Sequence, residues 1–284
     1  MRAPDGAPRL PAATIAPLDP QAHAPTAARP VRAKLRRLAA DTRVVPHSHP
    51  WAQLAMSATG VIRMTAAHST YLVPPSRALW IPPGVEHVVT VVEAADIRTL
   101  YLHPSIRLLG GSSPEAGGNP FVDWPECRVL EVSPLLRELV GHLDTGPGGA
   151  ADEREACLGA LVLDELRRAA PVRLGLQLPR DKRLRSLCEA VLDDPLRHAT
   201  LEGWAHEAGA SARTMARLFR HELGTTFGEW RQQVRLARAL TLASGRRPMA
   251  HIAAELGYAS PSAFSAMVRR TVGATPRSFL AARP

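Results

Sequence analysis

The chain has 284 residues, 45% of them hydrophobic and 5% aromatic, with 35 Lys and Arg against 26 Asp and Glu for a formal charge of +9. That length suits two domains, each able to bury its own core. The three cysteines, Cys127, Cys157 and Cys188, have no paired spacing, which excludes a disulfide scaffold, and no apolar run is long enough for a spanning helix or a leader. A cytoplasmic protein without a membrane partner is the expectation. Charge is uneven along the chain. Met1 to Ala40 holds 7 basic and 2 acidic residues, Asp41 to Pro179 holds 11 and 15, and Arg180 to Pro284 holds 17 and 9. A polyanionic partner for the last third follows as a first hypothesis.

Residues 1–30 are Pro, Ala and Arg without periodicity, and such a stretch cannot bury enough surface to offset its ordering entropy, so it is expected to be a disordered tail. Residues 31–110 contain short apolar runs punctuated by Pro and Gly: Trp51–Ser57, Val61–Ala66, Thr70–Val73, Ala78–Ile81, His87–Val92 and Ile97–Leu102. Strands at this spacing predict an antiparallel sandwich or barrel. A Gly/Ser/Pro loop follows at Gly110–Pro120. Over residues 121–170 the period changes to 3.6, with Leu135, Leu136, Leu139, Val140 and Leu143 on one helix and Leu158, Leu161, Val162, Leu163 and Leu166 on another. These helices are expected to pack on the barrel or to pair with a second subunit. Residues 171–179 read as a linker.

The basic third, 180–284, opens with Leu184, Leu187, Cys188 and Val191 at i, i+3, i+4 and i+7, an amphipathic helix. Thr200 is a good N-cap, Ala205 precedes Gly209 by four residues, and Ser211 is a second N-cap. A small residue lets two helices approach, and Gly tolerates positive φ in the turn, so a helix-turn-helix is predicted over about 202–223. The same unit recurs over about 249–272. Ala253 precedes Gly257 by four residues, Ser260-Pro261 caps the next helix, and a shift of 49 places Met215 on Phe264, Leu218 on Met267, Gly224 on Gly273 and Thr226 on Thr275. Phe227, Trp230, Val234, Ala237 and Leu240 mark a long connecting helix ending at Ser244-Gly245.

Arg180 to Arg283 resembles the DNA-binding domain of the AraC/XylS family of bacterial transcription regulators. The most specific stretch is Ile252-Ala-Ala-Glu-Leu-Gly-Tyr-Ala-Ser-Pro-Ser-Ala-Phe264 followed by Gly273-Ala-Thr-Pro276. The resemblance implies a sequence-specific regulator whose partners are double-stranded promoter DNA and RNA polymerase, acting at nucleoid DNA. Its two reader helices would lie one DNA turn apart, about 34 Å. By position, Arg213, Ala216 and Arg217 would face bases from the first reader, with Ser211, Thr214 and Arg220 beside them. Ser262, Ala263 and Ala266 would face bases from the second, with Ser260. Ala266 stands where the family usually has Arg, which removes a bidentate guanine contact worth about 1–3 kcal/mol. The second reader is therefore expected to act more through phosphate contacts from Arg269, Arg270 and Arg277.

In the first domain, His47-Ser-His49-Pro-Trp51-Ala-Gln53 and Pro82-Pro-Gly-Val-Glu-His87 resemble the two motifs of cupin barrels. The fold class expected is α+β: an N-terminal antiparallel β-barrel of the cupin or jelly-roll kind with trailing helices, then an all-α domain of two helix-turn-helix motifs. The resemblance implies a barrel that senses a small-molecule effector or dimerises the chain. His47, His49, Trp51, Gln53, Trp80 and His87 would line the effector site. His47, His49, Gln53 and His87 would be the ligands of a divalent metal, with Gln53 standing where Glu is usual. An amide oxygen is an uncharged and weaker donor, so the ion would be held less tightly and no cofactor is required. The rival reading is a metal-dependent, oxygenase-like cupin enzyme fused to a DNA-binding module.

Overall fold

A computed structural model describes residues 13–19, 21–66, 69–75, 77–103, 124–146, 152–169, 171–172, 175–244, 247–273 and 275–280. Its first domain is built on two six-stranded sheets. One runs in the order β1 (Ala13–Ile15), β3 (Thr42–His47), β8 (His87–Val91), β5 (Ile62–Ala66), β6 (Ser69–Val73), β12 (Gly175–Gln177). The other runs β11 (Pro171–Val172), β10 (Arg128–Glu131), β7 (Arg77–Ile81), β4 (Ala52–Thr59), β9 (Ala95–Leu102), β2 (Val31–Leu38). Among the described pairings only β1 with β3 is parallel.

Side chains alternate across each strand, and both faces of the second sheet are covered. On β4 and β7, Ala55, Leu79 and Ile81 face the barrel interior with Met64 and Tyr71, whereas Leu54, Met56 and Trp80 face α1 (Pro134–His142) and α2 (Glu153–Arg168). Burial on both faces is why this stretch reads as a continuous apolar run. Each fully buried Leu or Met contributes about 1.5–3 kcal/mol. The two helices start on side-chain caps, Ser133 Oγ accepting from Leu136 N at 3.0 Å and Asp152 Oδ1 from Glu155 N at 2.7 Å. They pack on the barrel through Leu136, Leu139, Val140, Val162, Leu163 and Leu166. Leu135 and Leu161, expected on the same stripes, instead point to solvent at 52% and 50% exposure, because each sits one residue and about 100° away from the buried face.

Two expectations of unstructured chain are corrected. Residues 13–30, read as part of a tail, are tied down by β1 pairing to β3 and by Arg29, which donates to Asp144 at 2.8 Å and to Glu155 at 2.5 Å. Residues 171–179, read as a linker, supply β11 to one sheet and β12 to the other, and Leu176 and Leu178 enter the core of the first helical unit. The Gly110–Pro120 loop lies outside the described residues.

The second domain comprises α3 (Lys182–Asp193), α4 (Leu201–Glu207), α5 (Ala212–Leu223), α6 (Phe227–Ser244), α7 (Met249–Glu255), α8 (Pro261–Val272) and α9 (Pro276–Leu280). The repeat is visible bond by bond. Ala210 N donates to Ala205 O and Tyr258 N to Ala253 O, both at 2.9 Å, while Gly209 and Gly257 hold φ of +65° and +74°. Ser211 and Ser260 then cap α5 and α8, each 3.1 Å from the third amide on, and Gly224 and Gly273 close both helices in the left-handed conformation. The turn glycines are 48 residues apart and the caps 49, so the second turn carries one extra residue. Ala237 of α6 packs against Val61 and Leu72 of the barrel, Arg63 pairs with Asp193 at 2.9 Å, and Arg77 Nη2 donates to Phe279 O at 3.4 Å.

Candidate functional site

On α5 the inward stripe is Met215 and Phe219, both fully buried, which turns Arg213, Arg217 and Arg220 to solvent and leaves Thr214 and Ala216 half-buried beside them. On α8, Phe264, Met267 and Val268 are buried while Ser262, Ala263, Ala266, Arg269 and Arg270 are exposed, and Arg277 is exposed on α9. Neither reader helix is turned into the barrel. Ser211 and Ser260 spend their hydroxyls on capping, so their part in an interface is to aim the following helix.

Ala263, Ala266 and Arg270 of the second reader line a cleft of about 450 Å³, with Thr200 at the start of α4 and Arg231 and Arg235 of α6 on its other walls. Arg231 is anchored, Nε donating to Pro195 O at 3.0 Å and Nη1 to Ala199 O at 2.6 Å, and the Arg235 guanidinium lies 5.5 Å from the Tyr258 ring centroid. No acidic residue lines this cleft. Arg231 and Arg235 were not singled out by sequence, because on a connecting helix they read as an ordinary solvated face.

The barrel site gathers His47, His49, Trp51, Gln53 and His87. The register pairs His47 with His87 across β3 and β8, placing their rings 4.3 Å apart, with His49 5.3 Å from His87 and stacked on Trp51 at 5.5 Å. Each Nδ1 faces a backbone carbonyl: His47 to Val45 at 2.9 Å, His49 to Trp51 at 2.8 Å, His87 to Val85 at 3.0 Å. A carbonyl can only accept, so the ring proton sits on Nδ1 and the lone pair on Nε2. Gln53 Oε1 lies 2.6 Å from His49 Nε2, and with the ring proton on Nδ1 a hydrogen bond there requires the amide to be turned so that its N–H donates to that lone pair. Burial lowers all three imidazoles, His87 to about 3, and the Lys34 ammonium lowers them further.

Trp80 does not join this group. It lies on the opposite face of its sheet, its indole N–H donating to Trp124 O at 3.1 Å under the helices, which corrects its expected place in the effector site. Two residues that sequence missed take part instead. Lys34 of β2, almost completely buried, donates from Nζ to the Tyr101 hydroxyl at 2.5 Å, and the Tyr101 ring sits 5.0 Å from His49 and 5.6 Å from Trp51. The signal available was that Lys34 is one of two lysines in an Arg-rich chain.

This donor set would hold a divalent cation more weakly than one that includes a carboxylate. No carboxylate joins the three imidazoles, an ammonium stands among them, and among the described residues no three His, Cys, Asp or Glu side chains come together as a metal site.

Comparison with known proteins bears on both regions. The AraC-like ligand-binding domain matches residues 31–166, and a helix-turn-helix domain matches residues 204–282. The chain is 30% identical over 236 residues to the HTH-type transcriptional regulator NimR of Escherichia coli K12, covering 83% of this chain and 81% of that one. It is also 30% identical over 181 residues to the arabinose operon regulatory protein of Salmonella typhimurium LT2, covering 59% and 64%. Against the regulatory protein SoxS of the same organism the identity is 35% over 89 residues, covering 31% of this chain and 80% of SoxS. At 236 residues the first of these matches is too long to fall within either domain alone. With both domains matched and the order preserved, the chain belongs to the AraC-type family of DNA-binding transcription regulators.

Proposed function

We propose that α5 and α8 enter successive major-groove segments of one promoter site, with Arg213 and Arg217 reading bases and α8 positioning the complex through its neighbours. The exposure of Arg213, Arg217 and Arg220 on a helix capped by Ser211 is the observation that carries this. Ser262, Ala263 and Ala266 offer no long donor, so the second helix approaches the bases closely and leaves affinity to Arg269, Arg270 and Arg277. Arg231 and Arg235 would meet the phosphates running between the two grooves. RNA polymerase is the partner through which such binding alters transcription, and a homodimer is the form in which two copies would occupy a repeated site.

The barrel is the sensor. A small molecule entering among His49, Trp51, His87 and Tyr101 would bias one arrangement of the readers by its difference in affinity between two states. An oxygenase role is disfavoured by the donor set, and the relatives are regulators. The test is selection of bound genomic fragments followed by competition against random duplex at ~0.15 M salt. A preference of about 10³ or more is expected, and a ratio near one removes the reading.

A further inference from the structure

We infer that the barrel site takes a small organic anion, a carboxylate that also carries a hydroxyl or N–H group, held between Lys34, Trp51 and His87. This rests on the sensor reading above and names the chemistry of its ligand. Charge is the first support. Lys34 is 9% exposed, its hydrogen-bond partner is the neutral Tyr101 hydroxyl, and no described carboxylate pairs with it. A buried ammonium without a counter-ion is costly, and an anionic ligand supplies the missing charge. Burial accordingly pushes Lys34 down to about 8.

The unspent polar atoms are the second support. The Trp51 indole N–H is buried without a partner, and the Tyr101 oxygen, which accepts from Lys34, keeps its own proton to donate. Both call for an acceptor near the ammonium. The His87 Nε2 lone pair is also buried without a partner, and it calls for a donor elsewhere on the same ligand. A divalent cation would meet a like charge at Lys34 and a proton at Trp51.

The chain contains only two lysines, Lys34 and the helix-start residue Lys182, which makes the test direct. With 13Cε-lysine in the full-length protein, two resonances report separately, and Lys182 serves as the control. Glycolate and 4-hydroxybenzoate, each compared with its uncharged amide, are the probes. At millimolar concentration at least one carboxylate should raise the titration midpoint of Lys34, leave Lys182 unmoved and raise the melting temperature, while the amides do neither. Lys34→Met should fold, with an unchanged or higher melting temperature in the absence of probe, and should lose the probe-induced gain. Equal responses to amide and acid, an undiminished gain in the Lys34→Met protein, or no movement of the Lys34 resonance with either carboxylate overturns the inference. Promoter binding by the Lys34→Met protein without probe is measured in parallel. Failure of the unsubstituted protein to bind the promoter in the same assay would count against the separate DNA-reading proposal, whatever the lysine signal does.

Discussion

Buried polar groups are distributed unequally between the two domains. Arg29, Arg32, Lys34, His49, Gln53, Arg77, His87 and Glu155 are all buried in the barrel domain, while from Gly175 onward no described polar or charged side chain is. Burying such groups costs free energy unless each finds a partner. The helical domain avoids that cost by keeping its cores apolar, which leaves the arginines of its reader helices on the surface. The barrel domain accepts the cost, so its polar residues are either locked in pairs, as Arg29 is, or held open for a ligand. The same residue types therefore govern stability in one domain and binding in the other.

That contrast can be broken by substitution. The largest effect is expected from Arg29→Ala, which leaves Glu155 buried without its cation and should cost about 3–5 kcal/mol in urea unfolding. A loss under about 1 kcal/mol would show the pair to be as weak as a surface one. Acid should act next, chiefly through the buried imidazoles of the barrel. His87 stays neutral in the folded protein down to about 3 but takes up a proton near 6.5 when unfolded. Its contribution is therefore complete above 6.5 and lost as pH falls from 6.5 toward 3, at up to about 1.4 kcal/mol per pH unit. His47 and His49 add to this with the same sign. Melting followed at tryptophan in His87→Gln should lose much of that slope, and an unchanged slope would move its source elsewhere.

In the reader domain the readout reverses. Arg217→Ala should weaken the selected promoter site by about 1–3 kcal/mol while leaving the melting temperature within error. Equal weakening on random duplex would remove its base-reading role. Arg269→Ala is the smallest, a uniform loss over all sequences with a salt slope lower by about one, read from affinities at several salt concentrations.

Legibility in the sequence followed the same divide. Both helical units could be read because each inward stripe, cap and turn glycine is local, within about twenty residues. β4 through β9 could be read from their alternating or apolar runs. β2 could not: Val31-Arg-Ala-Lys-Leu-Arg-Arg-Leu38 buries Arg32 and Lys34, and a strand with buried cations reads as polar chain. The histidine cluster was visible because His47 and His49 share a strand spacing. Lys34 and Tyr101, 67 residues apart, meet only when β2 pairs with β9. Trp80 was assigned to the wrong face because alternation separates two faces without saying which is inner when both are apolar. The one-residue difference between the two turns was present in the spacing all along, but only the bonds from Ala210 and Tyr258 show where it falls.

The short strand at Gly175–Gln177 lies in the barrel sheet, while its own Leu176 and Leu178 just beyond are seated in the bundle that carries α5. One segment thus works as a rivet through both bodies. Sheet and bundle share this stretch of backbone and are held to one another by it.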